Sequence, residues 1–189
     1  MRVSNLVLST FLVLVSPMIV SSAVAKTERL IVPMHLIDDK GVGKNIGVIT
    51  ARETANGYLL LDFKLSNELP PGGHGFHMHV NGSCGPAKDS SGKTRAGLAA
   101  GSHWDPEKTG KHEGPSGDGH IGDLPILYVE VDEEDGALPV THSIVLPRLR
   151  LSDTRGRSLV IHADSDNYSD EPKPLGGGGA RIACGVVPQ

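Results

Sequence analysis

An all-β domain, made of eight short antiparallel strands packed as a sandwich or barrel, is the fold class that this sequence predicts. Three observations carry that reading. Apolar and polar residues alternate over short runs, the signature of strands with one buried face. No window of a dozen residues shows a helical period, and there is no internal repeat and no heptad. Turn residues punctuate the chain throughout, with 24 glycines and 13 prolines among 189 residues, which suits many short strands.

The leading segment stands apart from that domain. Arg2 is the only charged side chain among residues 1–25, a mostly apolar run covers 6–20, and Ser22-Ala23-Val24-Ala25 offers a small-residue cleavage site before Lys26. This is the pattern of a secretory signal peptide. The run is shorter than the roughly 20 residues of a spanning helix, and Ser9, Thr10, Ser16 and Pro17 interrupt it, so a retained membrane anchor is the weaker reading. The expected organisation is a signal peptide at 1–25 and one domain at 26–189, with no membrane contact once the signal is gone.

Without Arg2, 17 basic side chains face 22 acidic ones, a net charge of −5 with histidines neutral. That balance excludes nucleic acid as the expected partner. Cys84 and Cys184 are an even pair in an exported chain, and a disulfide is the default state of such a pair in an oxidising compartment.

The strands follow in order. Residues 30–37 place Leu30, Val32, Met34 and Leu36 on one face and Ile31, Pro33, His35 and Ile37 on the other, and Asp38-Asp39-Lys40-Gly41 ends the run. Residues 45–51 and 57–64 read as the second and third strands, with Asn56-Gly57 as a tight-turn signal between them. A fourth opens after Leu69-Pro70-Pro71-Gly72-Gly73, at His74, and runs to about Val80. Strand character returns at 125–132, 140–146, 158–163 and 181–187. Two long stretches, 81–123 and 164–180, lack it, and loops of that length inside a compact domain are usually functional or disordered.

Chemistry concentrates in and beside those loops. In a strand, residues i and i+2 share a face, so His77 and His79 point the same way. His162 ends the apolar run Leu159-Val160-Ile161, where an imidazole needs a partner, and the three together would make a nitrogen-rich site suited to copper. His103, His112, His120 and Asp123 lie in a glycine- and proline-rich segment that can fold back on itself. Three imidazoles and a carboxylate are a plausible tetrahedral zinc set. Singly, each would read as an ordinary loop side chain.

The residues that carry these features resemble the secreted bacterial copper/zinc superoxide dismutases. The matching strings are His74-Gly75-Phe76-His77-Met78-His79, Gly82-Ser83-Cys84, His103-Trp104-Asp105-Pro106, Lys111-His112-Glu113-Gly114-Pro115, His120-Ile121-Gly122-Asp123-Leu124-Pro125, Leu159-Val160-Ile161-His162-Ala163, Pro172-Lys173-Pro174-Leu175 with the four glycines after it, and Arg181-Ile182-Ala183-Cys184-Gly185-Val186. They span nearly the whole mature chain.

The resemblance implies an eight-stranded antiparallel Greek-key barrel with two long functional loops, a periplasmic location and superoxide as substrate. It assigns His77, His79, His103 and His162 to copper, and His103, His112, His120 and Asp123 to zinc, with His103 bridging the two ions. Arg181 would hold the superoxide anion. Asp166 would hydrogen-bond one ligand of each metal, and Cys84 would pair with Cys184. A non-catalytic copper/zinc-binding protein on the same scaffold is the alternative, and a homodimer is compatible with the resemblance. His74, three residues from His77, is expected to support the site by hydrogen bonding. His35 and His142 are expected at solvent-exposed strand positions. Lys88, Lys93, Lys111 and Lys173 all compete as the lysine that steers the anion, and Trp104 is expected either under the loop or at a subunit contact.

Overall fold

The computed structural model describes residues 28–134 and 136–189. The expected signal peptide lies outside the described residues. Long alternating runs make the first three strands, β1 (Arg29–Asp38), β2 (Gly41–Glu53) and β3 (Leu59–Leu65). The histidine stretch, expected as one strand, is instead two, β4 (Gly72–His74) and β5 (Phe76–His79). Gly75 separates them, and each pairs with a different neighbour.

Inside the first long loop, β6 (Ala87–Lys88) and β7 (Thr94–Arg95) form a minimal hairpin. The run expected at 125–132 breaks into β8 (Leu127–Val129) and β9 (Val131–Asp132), the latter pairing with β10 (Gly136–Ala137). Residues 140–146 yield β11 (Ser143–Leu146), preceded by a single bridge from Val140 to Leu65. A one-turn helix, α1 (Leu151–Thr154), was not expected. The chain ends with β12 (Ser158–His162) and β13 (Arg181–Val186).

All strand pairs are antiparallel, and the main sheet runs β11-β3-β2-β1-β13-β12-β5. Because β4 continues into β5 and pairs with β8, the pair extends that order by one more strand. With β4 and β5 taken as a single broken strand, the curled sheet has eight, and non-consecutive neighbours give it Greek-key connectivity. No helix among the described residues is long and apolar enough to cross a membrane.

Inward-facing residues fill the barrel. Val32, Met34, Ile49, Leu61, Phe76, Met78, Leu159, Ile161 and Ala183 are fully buried, and Phe63 meets Phe76 edge to face at 5.4 Å. Burying each large aliphatic or aromatic side chain contributes about 1.5–3 kcal/mol. A second, smaller cluster lies outside the barrel wall, where Ile37, Val160 and Cys184 are covered by Cys84 and Ala100 of the first loop. Ile37, predicted on the outer face of β1, is on that face yet only 8% exposed. Alternation sets which way a side chain points, but a loop decides whether water reaches it.

The Cys84–Cys184 disulfide forms, with its Cα atoms 5.6 Å apart, and fastens the loop to β13 over a separation of 100 residues. Cross-links of this kind typically contribute about 2–4 kcal/mol. Main-chain bonds do the rest. Met78 lies along the edge of β5, and its N–H donates to Gly122 O at 2.9 Å while its carbonyl accepts from Trp104 N at 2.8 Å. Two loop segments are thereby laid beside β5 like extra strand residues, which sets His77 opposite Asp123 and His79 opposite His103.

Candidate metal centre

The side chains of β5 alternate between the core and these loops. Phe76 and Met78 go inward, so His77 and His79 go outward, beneath the loop cover. From β12, His162 arrives by the same rule, since Leu159 and Ile161 face the core. His77, His79, His103 and His162 each offer a ring nitrogen, and those atoms lie within 4.8 Å of one another. All four residues are buried.

A second group overlaps the first. His77, His103, His112 and Asp123 also bring ligand atoms within 4.8 Å of one another. His120 lies at its margin, with Nδ1 3.4 Å from Asp123 Oδ1. Its ring centroid is 5.5 Å from that of His103 and 6.1 Å from that of His112. His77 appears in both groups, but its Nε2 is occupied by a 2.7 Å hydrogen bond to Asp166 Oδ2. One ring nitrogen remains to it, so it can serve one ion.

The outer nitrogens of these rings are tied to the protein. His79 Nδ1 donates to Gly101 O at 2.9 Å, and His162 Nδ1 to Gly179 O at 3.3 Å. His112 Nε2 donates to Asp166 Oδ1 at 2.8 Å. Such bonds fix ring orientation and leave the lone pair on the opposite nitrogen. Those opposite nitrogens, His77 Nδ1, His79 Nε2, His112 Nδ1 and His162 Nε2, are buried without a well-formed hydrogen bond, as are His120 Nδ1 and Asp123 Oδ2; of these, His112 Nδ1 and Asp123 Oδ2 face each other at 3.0 Å as an ion pair. An unsatisfied buried polar atom normally costs about 1–3 kcal/mol. Six of them converging from four stretches of chain fit cations that would take up their lone pairs.

Electrostatics point the same way. Burial pulls the pKa of His77 down and those of His79 and His162 well down, and takes His103 to about 4, so these rings are neutral and able to ligate. Burial also opposes charge on Asp123 and Asp166, but hydrogen bonds from imidazoles outweigh it, and both stay well below the usual carboxylate range. Their negative charge in turn lifts His112 to about 9 against its own burial. The pocket therefore holds two trapped carboxylates that call for positive charge.

Space is fitted as closely. Gly176 has φ 70, and a Cβ there would collide with Asp166 Oδ1 and sit 2.7 Å from His112 Nε2. Only glycine meets both conditions.

An open cleft of ≈ 410 Å³ leads to the centre, lined among others by His103, His162, Asp164, Lys173 and Arg181. Of the four competing lysines, Lys173 is the one in that lining. Arg181 is braced by two main-chain carbonyls, Nη1 donating to Gly97 O and Nη2 to Gly101 O, each at 2.6 Å. Gly101 O also receives His79 Nδ1, so one peptide orients both an imidazole of the centre and the guanidinium at its mouth. Burial lowers the Arg181 pKa, but a guanidinium stays charged at any working pH.

His74 is buried, with Nδ1 2.8 Å from His162 O and Nε2 2.8 Å from Pro70 O, so it does support the site. His35 is half-buried, its Nε2 3.3 Å from Asn45 Nδ2, a correction to the exposed position expected of it. His142 is exposed and stacks on Phe63 at 5.2 Å. Trp104 packs at the edge of the core, with the Arg157 guanidinium 4.1 Å over its ring.

Asp170 carries no signal in the sequence that sets it apart from the other charges of its loop. Its carboxylate accepts from His112 N at 2.9 Å and Leu175 N at 3.0 Å, tying the two long loops together. No local pattern marks it, because both partners are main-chain groups brought near by the fold.

Comparison with known proteins agrees with this geometry. The profile of the copper/zinc superoxide dismutase family matches residues 45–187. The chain is 46% identical over 178 residues to the Cu-Zn superoxide dismutase of Escherichia coli K12, covering 93% of this chain and 96% of that one. The Cu/Zn superoxide dismutase structure from Brucella abortus superposes with a TM-score of 0.77 at 45% identity, covering 85% of this chain and 99% of the other. The solution structure of the monomeric copper, zinc superoxide dismutase from Salmonella enterica gives 0.69 at 48%, covering 86% and 99%.

Proposed function

From the fact that this chain belongs to the copper/zinc superoxide dismutase family, we infer that its buried imidazole centre disproportionates superoxide, two anions and two protons yielding dioxygen and hydrogen peroxide. The enzyme is an oxidoreductase with copper and zinc as its cofactors. The observation that supports the residue assignment is the set of six unpartnered donor atoms converging on two groups that share His77 and His103, of which His77 has its Nε2 already taken by Asp166.

On this reading His77, His79, His103 and His162 hold copper, while His103, His112, His120 and Asp123 hold zinc. Copper would supply the one-electron couple that zinc lacks. The chain's own residues do the rest. Arg181, fixed by Gly97 and Gly101, binds and orients the small anion, and Lys173 adds positive charge along the approach, so local attraction works against the net charge of the whole chain. His103 is placed to hold or release a proton at the ring nitrogen that faces the other three imidazoles. Asp166 keeps His77 and His112 aligned.

Export to the periplasm with removal of residues 1–25, leaving a domain at 26–189, belongs to the same proposal. Its supports are the apolar leader and the disulfide, a bond that persists in oxidising compartments. The donors assigned to the two metals all lie within one chain, and the homodimer that the resemblance allows would add to that centre without being one of its ligands.

Metal analysis of the purified protein alongside a superoxide-consumption assay tests the proposal. One copper and one zinc per chain with rapid consumption is the expected result. Both metals bound without consumption would favour the non-catalytic binding protein instead.

A further inference from the structure

Tyr168 stands in the second long loop, two residues after Asp166, and its backbone is left-handed, with φ 57. That conformation is disfavoured for an aromatic residue and is retained only where surrounding contacts enforce it. Here two main-chain bonds bracket it, Asn167 N to Gly176 O at 3.1 Å and Gly176 N to Ser169 O at 2.9 Å.

The strained turn brings three contacts together. Tyr168 N donates to Asp166 Oδ1 at 2.7 Å, adding a third donor to the carboxylate that already holds His77 and His112. The phenol oxygen accepts from Ile126 N at 3.0 Å, three residues beyond Asp123. The ring lies against Gly114, two residues beyond His112, so closely that a Cβ on that glycine would come within 2.6 Å of it. A single half-buried side chain thus touches the segments that carry Asp166, His112 and Asp123.

We infer that Tyr168 is a positioning residue for the zinc half of the centre: it locks the His112, Asp123 and Asp166 segments to one another through its N–H, its ring and its hydroxyl. The inference rests on the zinc assignment above. The ring and hydroxyl reach the His112 and Asp123 segments, and His77 is reached only through Asp166, by a main-chain N–H that side-chain substitutions keep. Loss of the side chain should therefore loosen zinc and leave copper in place.

The test is zinc release from the holoenzyme into excess chelating dye at room temperature, with copper content and circular dichroism followed in parallel. Tyr168→Phe, which lacks only the hydroxyl, should release zinc about fivefold faster, the factor carried by one ordinary hydrogen bond. Tyr168→Asn tolerates the left-handed backbone and keeps the N–H but loses the ring, and should release it faster still. Copper content and circular dichroism should be unchanged in both. A Tyr168→Phe release rate equal to that of the parent would overturn the inference. So would faster release accompanied by loss of circular dichroism signal, as expected of a merely structural tyrosine. A parent protein that binds no zinc would overturn the zinc assignment itself, a distinct result.

Discussion

His77 and His112, 35 positions apart in sequence, are held by one carboxylate: Asp166 accepts from Nε2 of the first at 2.7 Å and of the second at 2.8 Å. On the proposed assignment each ring serves a different metal. The carboxylate that joins them comes from the loop that also lines the cleft.

Asp166→Asn should break that link on one side. An amide exchanges one carboxylate oxygen for an NH2 donor, so the 2.7 Å and 2.8 Å bonds to separate oxygens cannot both be kept; His112 is left with at best its longer 3.1 Å approach to the oxygen that His77 also uses, with no negative charge behind it, and should lose its orientation. Zinc affinity is expected to fall by about 10- to 100-fold with the barrel intact. Chelator competition on the holoenzyme measures this, and an unchanged affinity would remove Asp166 from the supporting role.

His162→Ala removes one of four converging imidazoles from the strand side only. Copper affinity should fall by at least about 100-fold, since removing a ligand exceeds the effect of removing its support. Nearly all activity should go with it, while zinc stays near one per chain. Full copper occupancy in the variant would defeat the assignment.

Arg181→Ile takes the fixed cation from the mouth. The metals should remain, because Arg181 donates to carbonyls and not to ligand atoms, while the second-order rate drops by roughly tenfold and loses much of its salt dependence. Lys173→Gln should give a smaller drop that vanishes at high salt, and Lys111→Gln none, as Lys111 lies outside the cleft lining. Pulse radiolysis across ionic strengths distinguishes these outcomes.

Acid should destabilise the metal-free protein. Burial depresses the pKa of His79, His103 and His162 below the ordinary 6.5, to about 4 for His103. Below pH 6.5 the unfolded chain therefore binds protons that the folded chain refuses, and stability falls as pH drops toward 4. Asp123 and Asp166, held low in the fold, add a loss in the same direction as they are forced to protonate. His112, raised to about 9, acts oppositely: its contribution is complete below 6.5 and is lost as pH rises through 9. Denaturant midpoints after chelation should thus fall between about pH 6.5 and pH 4, and a flat profile there would contradict neutral buried imidazoles.

Much of this was legible in the chain itself, for a physical reason. The period-two pattern of Leu30 to Leu36 and the i, i+2 placement of His77 and His79 follow from local backbone geometry, which short stretches encode without help. Family motifs added Asp166, Arg181 and the bridging role of His103. What sequence could not show is where one element ends against another. Gly75 divides the histidine stretch only because β12 and β8 compete for its two halves. Ile37 is covered only because the loop bearing Cys84 crosses it.

Sequence alone therefore determined the β class and the inventory of donors, because periodicity and residue chemistry are local. Tertiary structure decided which nitrogen of each ring is free, that Lys173 is the lysine in the cleft, and that Asp170 and Tyr168 bind the loops together. Those outcomes depend on carbonyls, carboxylates and N–H groups meeting across tens of residues, and only the closed barrel with both loops in place sets those distances.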